Sequence, residues 1–319
     1  MAVVPDIALP SPLRAAARLS GVVRRTPVLL EPALDAQLGC RLHFKAEHLQ
    51  VTGSFKYRGA SNALARLDDG IRGVATHSSG NHGAALAAAA RARGLEAHVV
   101  MPENAVRTKI EAVRAHGGQV HFCAPNQAAR EAGLADWVDR GFVAIPPYDH
   151  DDIIAGQGTL ALELLEQVEA LDCIVAPIGG GGMLAGIVRA VAERAPDVQV
   201  IGAEPLGADD AQRSLAAGRR VEDHHPQTIA DGLRALLGQR NFAILSAADV
   251  PILTVSEDGI RSAMGLLWHR LKQVIEPSGA VALAAVAAHS ERFAGQRVGV
   301  VLSGGNLDTD ALLAHLPPA

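Results

Sequence analysis

Short apolar runs alternate with helical patterns along most of the chain from about residue 40 onward. Runs of four to six apolar residues predict buried strands, and apolar residues spaced three and four apart predict the helices between them. The predicted strands cover 73–77, 97–101, 120–123, 142–145, 173–178, 198–203 and 298–302, and the predicted helices cover 81–93, 105–116, 127–140, 151–170, 183–195, 257–274 and 280–292. This alternation predicts an α/β doubly wound architecture, with parallel sheets covered on both faces.

The order of these elements also suggests how the chain divides into domains. We expect a large domain of residues 1–64 and 146–319, with a small domain of residues 65–145 inserted in it. Residues 205–248 have the weakest periodicity, so we expect long functional loops there.

Composition and charge exclude several kinds of partner. The chain has 49% hydrophobic and 20% charged residues and a net charge of −5, so a nucleic acid or an anionic membrane is not expected. No apolar run reaches the roughly 18 residues of a membrane helix, and the first residues lack the basic stretch of a signal peptide. Cys40, Cys123 and Cys173 form no Cys-x-x-Cys pair, so we expect reduced thiols in a cytoplasmic protein.

Lys56 lies at the start of a predicted helix, in the segment Gly-Ser-Phe-Lys-Tyr-Arg-Gly of residues 53–59, where Ser54 is the expected N-cap. A helix N-terminus disfavours an ammonium group, so the pKa of this lysine is expected to be lowered. A neutral amine can attack a carbonyl to form a Schiff base, or it can accept a proton. Taken alone, a surface lysine that bends into solvent is the simpler interpretation.

Three predicted strands end in glycine-rich turns that lead toward helices, which is where parallel α/β sheets bind ligands. Their sequences are Ser-Ser-Gly-Asn-His-Gly at 78–83, four glycines at 179–182, and Ser-Gly-Gly-Asn at 303–306. Four glycines before a helix predict a phosphate cradle of backbone N–H groups, although a merely tight turn is the alternative. The turn at 78–83 suits a carboxylate or an aromatic oxygen, although Ser79 or Asn81 could simply cap a helix. The turn at 303–306 is equally consistent with a plain turn.

A nicotinamide-dinucleotide protein is the main alternative. Gly180-x-Gly182-x-x-Ala185 fits the relaxed dinucleotide fingerprint, and Glu204 ends the next strand where a ribose-binding acid is expected. Pro177 and the fourth glycine are atypical of that fingerprint. This interpretation also leaves Lys56 and the turn at 78–83 unexplained, so it ranks second.

Together, the segment 53–59 and the three turns resemble the serine/threonine dehydratase and serine racemase family of pyridoxal-phosphate enzymes. The resemblance runs from Arg25-Thr26-Pro27 to Asn306 and is specific as a combination. It implies the tryptophan-synthase-β-like fold (fold type II), with two α/β domains and the cofactor in the cleft between them.

The resemblance implies a role for each matching residue. Lys56 would bind pyridoxal 5′-phosphate as a Schiff base and then act as the base at the substrate Cα. The remaining cofactor contacts would be Phe55 against the ring, Asn81 at the phenolic oxygen, Ser303 at the pyridine nitrogen, and the backbone of Gly179, Gly180, Gly181 and Gly182 at the phosphate. The substrate carboxylate would be surrounded by Ser78, Ser79, Gly80, Asn81 and His82.

The implied reaction is elimination of the β-hydroxyl from serine, threonine or 3-hydroxyaspartate, which gives a 2-keto acid and ammonia. A serine at the pyridine nitrogen cannot hold a proton there as an aspartate would, so β-elimination competes well with transamination. Ser79 would lie on the ring face opposite Lys56, so serine racemisation is the alternative or a side reaction.

The resemblance extends to a metal loop and to one arginine. Glu204, Asp210 and the Ala208 carbonyl would bind Mg²⁺, or Ca²⁺ or Mn²⁺, although a solvated acidic turn fits the same spacing.

Arg130 aligns with a mobile substrate-side arginine and could bind the second carboxylate of 3-hydroxyaspartate. An exposed helix face is the simpler interpretation of this residue. His224 and His225 are expected on a surface loop. We also expect a homodimer, and no isoleucine-binding regulatory domain after the Ser303 segment.

Overall fold

The computed structural model describes residues 11–78 and 80–316. Within them, the strands are β1 (Val28–Leu29), β2 (Arg41–Lys45), β3 (Gly73–His77), β4 (Glu96–Pro102), β5 (Gln119–Cys123), β6 (Val143–Ala144), β7 (Cys173–Pro177), β8 (Gln199–Pro205), β9 (Ile252–Val255) and β10 (Arg297–Val301). One sheet has the order β1-β2-β10-β7-β8-β9 and the other β5-β4-β3-β6. Neighbouring strands are parallel throughout both sheets except for the antiparallel pair β1–β2.

Helices connect most of the parallel strands. They are α1 (Pro12–Leu19), α2 (Pro32–Leu38), α3 (Lys56–Ala65), α4 (Asn81–Ala92), α5 (Arg107–Ala115), α6 (Gln127–Asp139), α7 (Asp151–Gln167), α8 (Gly182–Arg194), α9 (Asp210–Ala217), α10 (Gln239–Ala247), α11 (Glu257–Leu266), α12 (Pro277–Ala288), α13 (Ser290–Phe293) and α14 (Thr309–His315). The α/β class and its parallel sheets are therefore confirmed.

The two sheets use separate parts of the chain. The four-stranded sheet takes its strands from residues 73–144, whereas the six-stranded sheet takes them from residues 28–45 and 173–301. The expected small domain of residues 65–145 encloses the first sheet. The domain boundaries themselves stay a prediction.

The expected long loop within residues 205–248 is present at residues 218–238, and it is flanked by two short helices, α9 and α10, that the sequence pattern did not reveal. Each helix is only eight or nine residues long, and the buried residues of α9 include Asp210 and Ser214. A helix that buries polar residues lacks the apolar stripe that periodicity detects.

Two predicted helices end earlier or divide. The helix that begins at Glu257 passes at Leu267 into a π-helical turn and stops at Lys272, whose φ of 57° is left-handed. The helix over 280–292 instead starts at Pro277 and is divided at His289 into α12 and α13.

Close helix packing places α3 against the long helix α7. A Cβ on Gly156 of α7 would lie 2.7 Å from the Cα of Gly59 in α3. Only glycine permits backbones to approach so closely, so this contact fixes the start of α3 beside α7.

A buried ion cluster lies beneath the start of α3. Arg58, which is 0% exposed, donates to Glu47 at 2.8 Å and to Glu163 at 2.7 and 2.8 Å, and Lys45 also donates to Glu163. Burial alone would lower the pKa of Arg58, but the two carboxylates raise it above its ordinary value. The cluster anchors α3 two residues after Lys56.

No helix of the described residues combines the length and the apolar character that crossing a bilayer requires.

Candidate active site

Lys56 is the first residue of α3, as predicted, and its side chain is partly buried. Its Nζ donates a hydrogen bond to the carbonyl oxygen of Pro147 at 2.8 Å and lies 5.1 Å from the centroid of the Phe55 ring. Burial lowers the pKa of Lys56 to about 8. The lowered pKa of Lys56 agrees with the prediction, and its cause is the removal of the amine from solvent.

The other lysines of the chain are placed differently. The sequence contains four lysines in total. Lys45 is buried against Glu163, Lys109 is paired with Asp231, and Lys272 is exposed to solvent. Lys45 also has a lowered pKa and two neutral hydrogen-bond acceptors, but its amine is ion-paired with Glu163. Lys56 has a pKa lowered to about 8 and a neutral hydrogen-bond acceptor, and it makes no salt bridge within residues 11–78 and 80–316, which suits a nucleophilic amine.

The prediction that Ser54 caps α3 is wrong. The N-cap is Phe55, which makes no side-chain capping bond, because the backbone of Ser54 forms an antiparallel bridge with Gly304. The hydroxyl of Ser54 is buried and has no partner among the described residues. This bridge brings Lys56 beside the turn at 303–306, and Phe55 N donates to the Ser303 carbonyl at 3.1 Å.

The backbone conformation at Gly53 is part of the same junction. Its φ is 74°, and a Cβ there would overlap the side-chain amide of Asn306. Asn306 in turn donates to the Thr52 carbonyl at 2.8 Å. The segment 53–59 and the turn at 303–306, 250 residues apart in sequence, therefore form one continuous surface.

Asn81 is the first residue of α4, and its side chain links two distant segments. Its Nδ2 donates to Glu276 Oε1 at 2.7 Å, and its Oδ1 accepts from Asn306 Nδ2 at 2.9 Å. The amide is therefore not a helix cap, which was the simpler interpretation of this residue. Glu276 was missed by sequence reasoning, because a lone acidic residue 195 positions away carries no local signal.

Ser78 and His82 hold the turn between β3 and α4. The Ser78 hydroxyl accepts from the backbone N–H groups of Gly80 and Gly83, both at 3.2 Å, whereas Ser79 lies outside the described residues. His82 is buried, and its Nε2 lies 3.0 Å from the Ile145 carbonyl. Burial, and then the charge of Lys56, lower the pKa of His82 to about 3, so the ring is neutral. Nε2 must carry the proton, which leaves Nδ1 unable to donate to a carboxylate.

The tetraglycine turn leads from β7 into α8, where Gly181 adopts a left-handed φ of 89°. Tyr148 packs directly over it: a Cβ on Gly180 would overlap the Tyr148 ring, and one on Gly182 would lie 2.7 Å from the Tyr148 carbonyl oxygen. Asn241 Nδ2 donates to the Gly180 carbonyl at 2.6 Å. Side chains are excluded here, and sequence reasoning missed both Tyr148 and Asn241.

The expected metal residues lie together at the end of β8. Glu204 and Asp210 are each 1% exposed, and burial raises the pKa of Glu204 to about 8 and also raises that of Asp210. Glu204 accepts from the backbone N–H groups of Ala211 and Gln212 at the start of α9, and Asp210 accepts from Leu237 N. No cluster of three or more acidic, histidine or cysteine side chains suited to a metal was found in the described residues.

The surface-loop prediction for the two histidines is half correct. The His225 side chain is 89% exposed, but that of His224 is buried, with its Nε2 3.5 Å from Asp210 Oδ1. The side chain of a loop histidine can turn inward when a buried carboxylate offers a partner.

Arg130 lies on α6 and is partly buried rather than on a fully exposed face, and its Nε is shielded from solvent. Burial lowers the pKa of His77 at the end of β3, and the positive charge of Arg130 lowers it further. Arg130 therefore lies near the strand end that carries the turn at 78–83.

Comparison with known proteins identifies the family. The family model for pyridoxal-phosphate dependent enzymes matches residues 19–304. The chain is 45% identical over 303 residues to the β-hydroxyaspartate dehydratase of Paracoccus denitrificans, covering 94% of this chain and 96% of the relative. It is 42% identical over 303 residues to the serine racemase of Dictyostelium discoideum, covering 92% of this chain and 93% of the relative. The solved structure of maize serine racemase superposes with a TM-score of 0.93 at 40% identity, covering 98% of this chain and 97% of the maize chain.

These findings confirm the predicted family and its fold type II architecture, and they replace the dinucleotide alternative. The chain belongs to the family of pyridoxal-phosphate dependent enzymes.

Proposed function

We propose that this protein is a pyridoxal-phosphate-dependent ammonia-lyase that eliminates the β-hydroxyl of a β-hydroxy amino acid, with 3-hydroxyaspartate the foremost candidate. The products are a 2-keto acid and ammonia. The observation that carries the proposal is the partly buried amine of Lys56, whose pKa is lowered to about 8, in a chain of this family. The 45% identity to a β-hydroxyaspartate dehydratase supports the choice of substrate.

The residues around Lys56 fit the cofactor. Lys56 would hold its aldehyde carbon covalently, with Phe55 beside the ring. The tetraglycine turn, in which a side chain at Gly180 or Gly182 would collide with Tyr148, would hold the phosphate through backbone N–H groups. Asn81 has one amide N–H left after bonding Glu276, which suits the phenolic oxygen. The Ser303 hydroxyl would face the pyridine nitrogen.

When bound, pyridoxal phosphate supplies an electron sink that stabilises a carbanion at the substrate Cα. Lys56 would accept the Cα proton, which a pKa of about 8 permits because much of the amine is neutral near that pH. Ser303 offers a neutral hydroxyl and no carboxylate, so it would not keep the pyridine nitrogen protonated. The cofactor ring would therefore withdraw electrons less strongly, which favours loss of the β-hydroxyl over transamination.

The turn after β3 would bind the substrate carboxylate through Ser78, Ser79, Gly80, Asn81 and His82. His82 would contribute its main-chain N–H, because its ring is committed to the Ile145 carbonyl. Arg130, near His77 at the same strand end, would meet the second carboxylate of 3-hydroxyaspartate. A guanidinium suits this task since it donates two parallel hydrogen bonds to a carboxylate.

A divalent cation would bind Glu204, Asp210 and the Ala208 carbonyl. Glu204 and Asp210 are adjacent and buried, and burial raises the pKa of both carboxyls, so a nearby cation would stabilise their ionised forms. His224 lies 3.5 Å from Asp210. Oxygen ligands of this kind suit Mg²⁺, Ca²⁺ or Mn²⁺, with water completing the shell.

Serine racemisation is the second candidate, because several relatives that match over more than nine-tenths of the chain are named serine racemases. Ser79 would be the base on the face opposite Lys56. Chiral analysis of unreacted serine in heavy water separates the candidates: racemisation gives deuterated D-serine, whereas elimination alone does not.

The direct test measures keto acid and ammonia from purified, cofactor-loaded protein with L-serine, L-threonine and each diastereomer of 3-hydroxyaspartate. We expect keto acid and ammonia to be released in equal amounts, and fastest from one diastereomer of 3-hydroxyaspartate. Lys56→Ala should release neither product. Loaded protein that releases no keto acid from any of them would refute the proposal. A cytoplasmic homodimer stays a prediction, and sedimentation equilibrium tests its assembly state.

A further inference from the structure

Glu276 is an acidic residue that contacts Asn81 in the proposed cofactor site. It precedes α12 and is 3% exposed, and its Oε1 accepts the 2.7 Å hydrogen bond from Asn81 Nδ2. A Cβ on Gly304 would overlap the same oxygen, and Glu276 N donates to the Gly304 carbonyl at 3.1 Å. The carboxylate is therefore wedged between Asn81 and the turn that carries Ser303.

The hydrogen bonds around Asn81 fix the orientation of its amide. Asn306 Nδ2 donates to the Thr52 carbonyl, which can only accept, and also to Asn81 Oδ1 at 2.9 Å, so the group of Asn81 that faces Glu276 is the NH₂. One N–H of Asn81 remains. With the opposite orientation, the NH₂ of Asn81 would face the NH₂ of Asn306, and two donors would repel each other.

The groups around Glu276 act on its ionisation in opposite directions. Burial raises the pKa of Glu276 to about 7, while the ammonium of Lys109 and the N–H of Asn81 favour the ionised form and Asp231 opposes it. Lys109 comes from α5 and pairs with Asp231, which lies in the large predicted domain. Burial of the Glu276 carboxylate costs free energy that the hydrogen bond from Asn81 only partly offsets. This contact therefore suggests a functional role.

We propose that Glu276 is a positioning residue: its carboxylate holds the Asn81 amide so that the remaining N–H faces the phenolic oxygen of the cofactor. This rests on the proposed function, in which Asn81 contacts that oxygen. The effect of Glu276 on the cofactor would then pass entirely through Asn81.

The test compares cofactor affinity and the visible absorption spectrum of the loaded protein in four variants. Glu276→Met keeps the volume but removes the acceptor, and we expect about tenfold weaker cofactor binding, equivalent to about 1.4 kcal/mol, with a shifted absorption maximum. Glu276→Gln keeps a carbonyl acceptor and should restore both properties. Asn81→Ala should match Glu276→Met, and the double variant should lose no more than Asn81→Ala alone.

Glu257→Gln is the matched control, because it alters a partly buried carboxylate that accepts from Ile229 N, away from Asn81. It should leave affinity and spectrum unchanged. If Glu276→Met lowers only the melting temperature, or if its loss adds to that of Asn81→Ala, the positioning role is refuted. Failure of the unaltered protein to load cofactor on Lys56 would instead refute the proposed function.

Discussion

The amine of Lys56 lies 2.8 Å from the carbonyl oxygen of Pro147, in the segment between β6 and α7. This carbonyl accepts a hydrogen from either the ammonium or the neutral amine, so it orients the group without adding a charge that would keep it protonated. The segment alone would suggest a solvent-exposed lysine, but the structure shows a partly buried amine beside the Phe55 ring. Desolvation then lowers the pKa of Lys56 to about 8.

Cofactor loading should depend on pH through this amine. The protonated form predominates below about pH 8 and the nucleophilic free amine above it. The rate of pyridoxal phosphate capture by cofactor-free protein, followed by absorbance, should therefore rise from pH 6.5 to 9 with a midpoint near 8. An exposed lysine would give a midpoint near 10.4, and that result would contradict the placement of Lys56.

Substitution of Gly180 should weaken cofactor binding. An alanine Cβ would overlap the ring of Tyr148, so the turn must move away from the position in which its N–H groups converge. Overpacking of this kind costs about 1–3 kcal/mol of stability. Equilibrium dialysis should show at least tenfold weaker binding for Gly180→Ala.

The control for this experiment is Gly259→Ala in α11, where the added methyl would meet only the Ser256 hydroxyl at 3.3 Å. Equal retention of cofactor by the two variants would mean that the tetraglycine turn does not hold the phosphate.

Removal of Arg58 should destabilise the whole protein. Arg58→Met leaves Glu47 without its ion-pair partner in the interior and Glu163 with Lys45 alone. Breaking a buried pair in this way costs about 3–5 kcal/mol, which urea unfolding would measure. Arg25→Met, which breaks the exposed pair with Glu166, should have a much smaller effect. Equal losses would show that the buried cluster does not anchor α3.

Removal of divalent cations by a chelator should lower the melting temperature of the protein, and this effect should depend on Asp210. If a divalent cation binds there, EDTA should lower the melting temperature, and excess Mg²⁺ should restore it by mass action. Asp210→Asn should make the protein insensitive to both treatments, whereas Asp223→Asn, an exposed neighbour, should not. An unaltered protein whose melting temperature responds to neither EDTA nor added Mg²⁺, Ca²⁺ or Mn²⁺ would exclude the metal assignment.

Arg130 should discriminate between acidic and neutral substrates. Loss of a charge-assisted hydrogen bond costs about 1.5–3 kcal/mol, so Arg130→Ala should lower kcat/KM for 3-hydroxyaspartate about 10- to 100-fold. Activity with serine should change little, because serine has no second carboxylate. Equal losses for both substrates would assign Arg130 a structural role.

The sequence predicted features that depend on local pattern. The alternation of apolar runs located β3, β7 and β10, and the residues that follow them are the turns that face the site. The start of α3 at Lys56 was also predicted, because helical spacing behind it is visible in the segment itself.

Features that depend on distant contacts were missed. Ser54 appeared to be a helix cap, but its backbone pairs with Gly304, which is 250 residues away. Neither the packing of Tyr148 on Gly180 nor the contact of Glu276 with Asn81 has a periodic or compositional signal. Arg58 belongs to a recognisable motif, yet its buried partners become apparent only after α7 is placed against α3.

The central claim is that Lys56 carries the cofactor, and the chain contains only three other lysines that could do so. The most direct measurement loads the protein with pyridoxal phosphate, reduces it with borohydride and maps the modified peptide by mass spectrometry. We expect the reduced pyridoxyl group on the peptide that contains Lys56, and no labelled peptide from Lys56→Ala. A label on Lys45, Lys109 or Lys272, or no label at all, would contradict the account.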